Sequence, residues 1–116
     1  MGLLSKKTGD VTVVYVQNDV DQGYKDHMFR QKMEEVIQEG GYRIVVNLAL
    51  LDHIGSGAIA ALIWAKKRTR EQGGDVLLAE MLSPVRELFE LMRLHLVFDI
   101  FETEKEAIAH FARSNR

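Results

Sequence analysis

Runs rich in apolar residues alternate along this chain with stretches in which apolar residues recur at every third or fourth position. The runs lie at 11–17, 44–48, 76–79 and 97–101. In the second and third runs the apolar residues follow one another instead of alternating with polar ones, which is typical of strands that are covered on both faces. The periodic stretches are typical of amphipathic helices. The pattern predicts the order β-α-β-α-β-α-β-α and leaves open a further edge strand near Leu3 and Leu4.

Two glycine pairs mark the points where predicted helices give way to strands. Gly40-Gly41 precedes the second run and Gly73-Gly74 precedes the third, and the first glycine of each pair suits the left-handed conformation that closes a helix. Neighbouring parallel strands require a helical crossover of this kind. The sequence therefore predicts an α/β fold, a single domain over 1–116 with a mostly parallel sheet of four to five strands and about four helices.

Two further helix starts are marked by their residue types. Ser83 is predicted to cap a helix whose first residue is Pro84. Thr103 and Glu106 have the spacing of a capping box. The apolar positions predicted to face the core from the helices are Met28, Phe29, Met33, Val36, Ile37, Val85, Leu88, Phe89, Met92, Ala107, Ile108 and Phe111.

Composition narrows the range of functions. The 15 Lys and Arg residues against 17 Asp and Glu give a formal charge of −2, which provides no general attraction to nucleic acid or anionic membranes. There is no cysteine, the histidines are widely spaced, and neither a signal peptide nor an apolar run of membrane-spanning length is present. We therefore expect a cytoplasmic protein with no metal, no cofactor, no nucleic acid and no membrane among its partners.

The most informative segment runs from a buried strand through a short turn to Ser56 at a helix start. One interpretation of Ser56 is a simple N-cap. A hydrolase using Asp52, His53 and Ser56 is disfavoured, because the nucleophile-elbow pattern is absent. Gly55-Ser56-Gly57 also lacks the spacing of a Walker A or dinucleotide-binding loop. These residues by themselves favour the cap.

The helix that follows Ser56 is apolar around its whole circumference. Ile59, Leu62 and Ile63 are sufficient to cover a sheet, whereas the small residues on another side would let a second surface come close. Either a partner or a neighbouring helix of the same domain could cover that side, which carries Ala58, Ala61 and Ala65.

An acidic loop follows the first long strand. It spans 18–23 and contains Asp19 and Asp21. Loops at the carboxyl ends of neighbouring parallel strands gather at one edge of the sheet. This loop is therefore predicted to neighbour the Ser56 turn if their strands are adjacent.

The segment 47–59, the glycine pair at 73–74, the segment 82–89 and the last run at 97–101 together resemble the STAS domain family, particularly the anti-sigma factor antagonists. The resemblance covers nearly the whole chain and implies a mixed sheet flanked by helices. It also implies that Ser56 is the phosphoacceptor of a serine kinase that is also an anti-sigma factor, with a serine phosphatase reversing the reaction. Asp21 falls where the family has an acidic residue near the acceptor. Gly55 stands in place of an aspartate, Gly57 of a second serine and Ala58 of a glycine.

The resulting hypothesis is a non-enzymatic partner-switching regulator, a monomer or weak homodimer, controlled by phosphorylation of Ser56 beside Asp21, Gly55 and Gly57. Its predicted partner-binding residues are Asp19, Asp21, Ser56, Ala58, Ala61 and Ala65. One alternative is a constitutive STAS scaffold or transporter-associated subunit that is not phosphorylated. Another, of a different class, is a small nucleotide-binding or hydrolytic domain that uses the Ser56 turn.

Overall fold

The computed structural model describes residues 4–17 and 22–113. Its strands are β1 (Leu4–Thr8), β2 (Val11–Gln17), β3 (Arg43–Leu50), β4 (Asp75–Ala79) and β5 (Ile100–Phe101). Its α-helices are α1 (Gln22–Gln38), α2 (Ser56–Glu71), α3 (Ser83–Leu91) and α4 (Glu104–Arg113), and a short 3₁₀ helix covers Leu94–Leu96.

The five strands form one mixed sheet in the order β1-β2-β3-β4-β5. β1 pairs with β2 antiparallel, and each later neighbour pairs in parallel. The edge strand left open near Leu4 is therefore present. Gly9 enables its tight turn into β2, because it adopts φ +65° at the first position of a two-residue hairpin. The predicted mostly parallel α/β sheet with about four helices is confirmed.

Helices cover both faces of the sheet, as the continuous apolar runs required. Val14, Val46 and Leu78 belong to the larger core, which also contains buried residues of α1, α2 and α3. Val45 and Leu77 alternate with them and belong to a smaller core with α4. All five side chains are fully buried, because successive strand residues point to opposite faces.

The glycine pairs close helices as predicted. Gly40 and Gly73 have φ values of +88° and +83°, the left-handed conformation that suits glycine after a helix. Gly74 has a different role, since a Cβ atom there would lie 1.8 Å from the Tyr42 carbonyl oxygen. The start of β4 therefore passes too close to the chain before β3 for any side chain at this position.

The prediction of a strand over 97–101 was too long. Val97 and Phe98 donate backbone hydrogen bonds to Leu94, each at 3.0 Å, and so continue the 3₁₀ turn. Phe98 turns inward and lies 6.2 Å from Phe89 between ring centroids. The first backbone contact with β4 is made by the carbonyl of Asp99, so burial of Phe98 delays the strand.

Two helix details also differ from the sequence prediction. α3 begins at Ser83 itself, with Leu82 as N-cap and no side-chain cap, because the Leu82 carbonyl accepts the first helical hydrogen bond from Arg86. Met92, expected in the core, ends that helix and is 50% exposed. The predicted cap of α4 is present, since the Thr103 hydroxyl accepts a hydrogen bond from the Glu106 N–H at 3.1 Å.

Candidate functional site

The turn that presents Ser56 is fixed to the core at two points. Leu51 and Ile54 are 3% and 9% exposed and pack in the larger core. Between them Asp52 and His53 are exposed. The alternation of buried and exposed residues holds the turn as it leaves β3 and leads it directly into α2.

Ser56 is the first residue of α2, one position later than a cap. Gly55 is the N-cap, with extended backbone (φ −93°, ψ 170°) and no side-chain hydrogen bond, and its carbonyl accepts a hydrogen bond from the Ile59 N–H at 3.1 Å. The N-cap interpretation of Ser56 is therefore wrong. The Ser56 side chain is exposed, and among the residues that the structure describes its hydroxyl has no hydrogen-bond partner.

The electrostatic environment at the start of α2 favours negative charge. The first turn contains no acidic residue, and the last turn carries Arg68 and Arg70. The N–H groups of the first turn have no acceptor within the helix, and the helix dipole adds a partial positive charge there. A phosphoryl group on Ser56 would meet these N–H groups without an acidic neighbour on the same turn.

The hydrolase alternative lacks the contact that it requires. The His53 Nδ1 atom lies 2.8 Å from the Asp52 Oδ1 atom, and both side chains are exposed. Within the described part of the chain no hydrogen bond joins His53 to the Ser56 hydroxyl. Activation of a serine nucleophile needs a base within hydrogen-bond reach, and no residue in 4–17 or 22–113 forms that hydrogen bond with Ser56.

The small residues of α2 belong to the core and do not face a partner. Ala58, Ala61 and Ala65 are 8%, 1% and 0% exposed and pack in the larger core, where α1 lies against α2. The sequence left open whether a partner or a neighbouring helix of the same domain covers this side of α2. The structure shows that elements of the same domain cover it. These alanines are therefore removed from the predicted partner surface, because a side chain already covered by its own domain offers no area to another protein.

The exposed face of α2 carries other residues, which the sequence pattern did not identify. Ser56, Ala60, Ile63 and Lys67 all lie exposed at helical spacing, and we call these four residues the outer face of α2. Ile63 was expected to cover the sheet but is 45% exposed. The spacing of Ser56 and Lys67 could have identified this face. These two polar residues are eleven positions apart, about three helical turns, and so lie on the same side of the helix.

The strand that leads to the acidic loop lies beside the strand that leads to the Ser56 turn. β2 and β3 are neighbours, and Gln17 pairs with Leu50 at their carboxyl ends. The condition set by the sequence, adjacent strands, is therefore met. Asp19 and Asp21 lie outside the described residues, so their position beside Ser56 stays a prediction.

A polar cluster stabilises the strand that leads to the turn. The Glu104 carboxylate accepts hydrogen bonds from the Asn47 amide at 2.9 Å and the Tyr15 hydroxyl at 3.0 Å. Burial raises the pKa of Glu104, but these hydrogen bonds together with the positive charge of Lys6 lower the pKa below its usual value. Burial and the hydrogen bond to Glu104 raise the pKa of Tyr15. The cluster thus joins β2, β3 and α4. It lies beside the edge formed by the carboxyl ends of the parallel strands, which carries the Ser56 turn and which we call the functional edge.

The described residues contain neither a metal-binding cluster nor a membrane-spanning helix. No group of three or more His, Asp or Glu side chains in 4–17 and 22–113 is arranged to hold a metal ion. No helix in the same ranges is long and apolar enough to cross a membrane.

The candidate site is thus an exposed serine at the start of a helix that follows a parallel strand of a mixed sheet. The profile of the STAS domain family matches residues 3–107, and the chain belongs to this family. BtrV of Bordetella bronchiseptica, named as a candidate anti-sigma factor antagonist, is 24% identical over 111 residues, which cover 96% of this chain and 95% of BtrV.

Solved structures show the same fold. An anti-sigma factor antagonist (STAS) domain protein from Planctomyces limnophilus superposes with a TM-score of 0.82 at 20% identity, covering 95% of this chain and 97% of that one. The Bacillus cell fate determinant SpoIIAA in its phosphorylated form superposes with a TM-score of 0.74 at 19% identity, covering 95% and 99%. The resemblance to STAS domains stated from the sequence is thus confirmed.

Proposed function

We propose that this protein is an anti-sigma factor antagonist that binds a serine kinase acting as an anti-sigma factor and is released when that kinase phosphorylates Ser56. The observation that carries the proposal is the exposed Ser56 hydroxyl, which has no hydrogen-bond partner among the described residues and lies at one end of the outer face of α2. The name of BtrV and the phosphorylated state of SpoIIAA support it.

The proposed switch is local and electrostatic. Phosphorylation adds about −1.5 to −2 charges, which the N-terminal end of α2 tolerates because of its unpaired N–H groups. A partner surface that fits a neutral hydroxyl would instead have to desolvate the phosphate. Binding is lost while the fold is retained, and a serine phosphatase restores binding. The protein itself catalyses nothing, needs no cofactor, and acts in the cytoplasm.

The first experiment measures binding of the kinase to Ser56→Asp and Ser56→Ala variants by isothermal titration calorimetry. Ser56→Asp is expected to weaken binding at least ~10-fold, in the range of a buried unpaired charge, and Ser56→Ala to preserve it. Ser83→Asp is the matched control, because Ser83 is also an exposed serine at the first position of a helix. Equal binding by Ser56→Asp and wild type contradicts the switch.

The second experiment tests phosphorylation directly. The chain is incubated with the kinase and magnesium ATP, and phosphopeptides are located by mass spectrometry. Phosphate is expected on Ser56 and absent from Ser83. Gly55 and Gly57 replace the usual neighbours of the acceptor, so binding without any phosphate on Ser56 would instead favour the constitutive scaffold.

The outer face of α2 is the proposed contact surface. Ile63 is 45% exposed at its centre, and apolar side chains at the centre of an interface contribute most of the affinity. Ile63→Arg is expected to weaken kinase binding at least ~10-fold. Val97→Arg, which changes an equally exposed residue (47%) outside the outer face of α2, is expected to bind like wild type. Equal losses from both substitutions would remove α2 from the interface.

A further inference from the structure

A second exposed apolar surface lies at the far end of α3, in the chain that returns to β5. Four large apolar side chains are exposed within seven residues, and we call them the α3-end patch: Leu91 (81%), Met92 (50%), Leu96 (71%) and Val97 (47%). Large apolar side chains clustered on a surface mark interaction sites. This patch shares no residue with the outer face of α2.

The residue in the middle of the patch adopts a costly backbone conformation. Arg93 follows the C-cap of α3 with φ 60° and ψ 25°. The helices α1 and α2 use Gly40 and Gly73 for this left-handed position, where glycine has no steric penalty. An arginine at the same position of α3 gives up backbone stability. Its exposed side chain makes no ion pair in the described part of the chain, so no salt bridge of Arg93 among these residues offsets this loss.

The charges around the patch are of both signs. Glu87 and Glu90 are exposed on α3, and among the described residues neither has an ion-pair partner. The neighbouring Arg86 is paired with Glu102 at 3.6 Å. An apolar centre flanked by an unpaired acid and an unpaired base is complementary to itself under a two-fold rotation. A surface for nucleic acid or an acidic membrane would carry one sign only.

We infer that the α3-end patch is the contact between two copies of this chain in a symmetric homodimer, in which Arg93 of each copy pairs with Glu90 of the other. The four apolar side chains pack together at its centre. The patch of four side chains is small beside the roughly 800 Å² per partner of a stable interface, so the dimer is weak. The inference does not depend on Ser56 or on a kinase.

The first test is the concentration dependence of mass in sedimentation equilibrium. The wild-type chain is expected to shift from its monomer mass of 13.2 kDa toward twice that value as concentration rises. Leu91→Gln is expected to weaken association at least ~10-fold. Leu50→Gln, which changes a 60% exposed leucine outside the patch, is expected to leave it unchanged. A wild type that stays monomeric to millimolar concentration overturns the inference, as does an equal effect of the two leucine substitutions.

A charge-reversal experiment tests the symmetry. Arg93→Glu places two acids on each patch and Glu90→Arg places two bases, so each variant alone is expected to be monomeric. An equimolar mixture of the two is expected to form a heterodimer, because it restores both salt bridges, one with the wild-type residues and one with the charges exchanged. If the mixture does not associate above the level of either variant, the proposed pairing is wrong.

Arg93→Gly separates association from folding. Glycine relieves the left-handed backbone, so the variant is expected to melt at a higher temperature than wild type when both are dilute. The same variant loses the proposed intermolecular salt bridge and is expected to associate several-fold more weakly. A purely structural role for Arg93 would move stability alone, and unchanged association in this variant overturns the inference.

Discussion

Glu104 offers the sharpest test of how the functional edge is held, because one carboxylate joins three elements. It is 17% exposed and accepts hydrogen bonds from Asn47 on β3 and Tyr15 on β2. Glu104→Gln retains the shape of the side chain and removes its charge. We expect this variant to fold with the same structure and a lower free energy of unfolding at neutral pH.

The expected magnitude follows from the two hydrogen bonds. A hydrogen bond to a charged group contributes about 1.5–3 kcal/mol, whereas a neutral one contributes about 0.5–1.5 kcal/mol. The loss is therefore about 1 kcal/mol for each of the bonds from Asn47 and Tyr15, or roughly 2 kcal/mol together. The ion pair with Lys6 adds little, because that lysine is 56% exposed. For a domain of this size the melting temperature should fall by about 5–10 °C.

The pH dependence gives this prediction a definite sign. The folded state lowers the pKa of Glu104, so the charged carboxylate stabilises the fold above the pKa that Glu104 has in the unfolded chain. That stabilisation is lost as pH falls through the lowered, folded-state pKa. The difference between wild type and Glu104→Gln should therefore be full at pH 7 and should shrink as the solution becomes acidic.

Urea unfolding at a series of pH values, followed by circular dichroism, measures both quantities. Tyr15→Phe is the companion variant, since it removes one of the two hydrogen bonds and leaves the charge. It should lose about 1.5–3 kcal/mol at pH 7, because it deletes a whole hydrogen bond to a charged group. A constant difference between Glu104→Gln and wild type from pH 7 into the acid range would refute the account, because it would mean that packing rather than ionisation is responsible.

Two further substitutions test the close contacts that position α2 and β4. Gly74→Ala should destabilise the fold by more than about 3 kcal/mol, since its Cβ would overlap the Tyr42 carbonyl. The control Gly9→Ala has space around the new Cβ and should lose only about 1–2 kcal/mol through its left-handed backbone. Thermal unfolding distinguishes the two, and equal losses would contradict the overlap. Ala61→Leu should destabilise by about 1–3 kcal/mol through overpacking, and a variant that keeps full stability but loses partner binding would return Ala61 to the partner surface.

Much of the fold followed from the sequence because its strands are apolar on both faces. Ile44, Val45 and Val46 are all fully buried, and only a sheet covered on both sides satisfies such a run. The prediction of the last strand, over 97–101, was too long for a related reason. Phe98 is apolar and lies among β-prone residues, yet its burial beside Phe89 comes from a turn. The spacing of a turn and that of a short strand cannot be distinguished in five residues.

The functional edge was predictable in position and not in detail. Ser56 was correctly placed at a helix start, but the cap fell on Gly55, because only the path of the turn decides which carbonyl accepts the first helical bond. The sequence also could not predict that Ile63 points outward. The helix α2 is apolar all round, and the side that it turns to the core depends on contacts with α1. The Glu104 cluster could not be predicted from the sequence, because its hydrogen bond from Tyr15 joins residues 89 positions apart.

The two sides of α2 explain why a switch on this helix need not move it. Ala61 and Ala65 are almost completely buried against the core, and interiors of this density resist displacement. Thr69 is also fully buried on the inner side, where its hydroxyl donates a 2.9 Å hydrogen bond to the Ala65 carbonyl of the same helix. A charge added at Ser56 is therefore expected to change the electrostatic surface at the exposed end of the helix without displacing the helix. In the proposed mechanism the domain acts as a rigid support for one hydroxyl, and phosphorylation changes what a partner meets there while the helix stays in position.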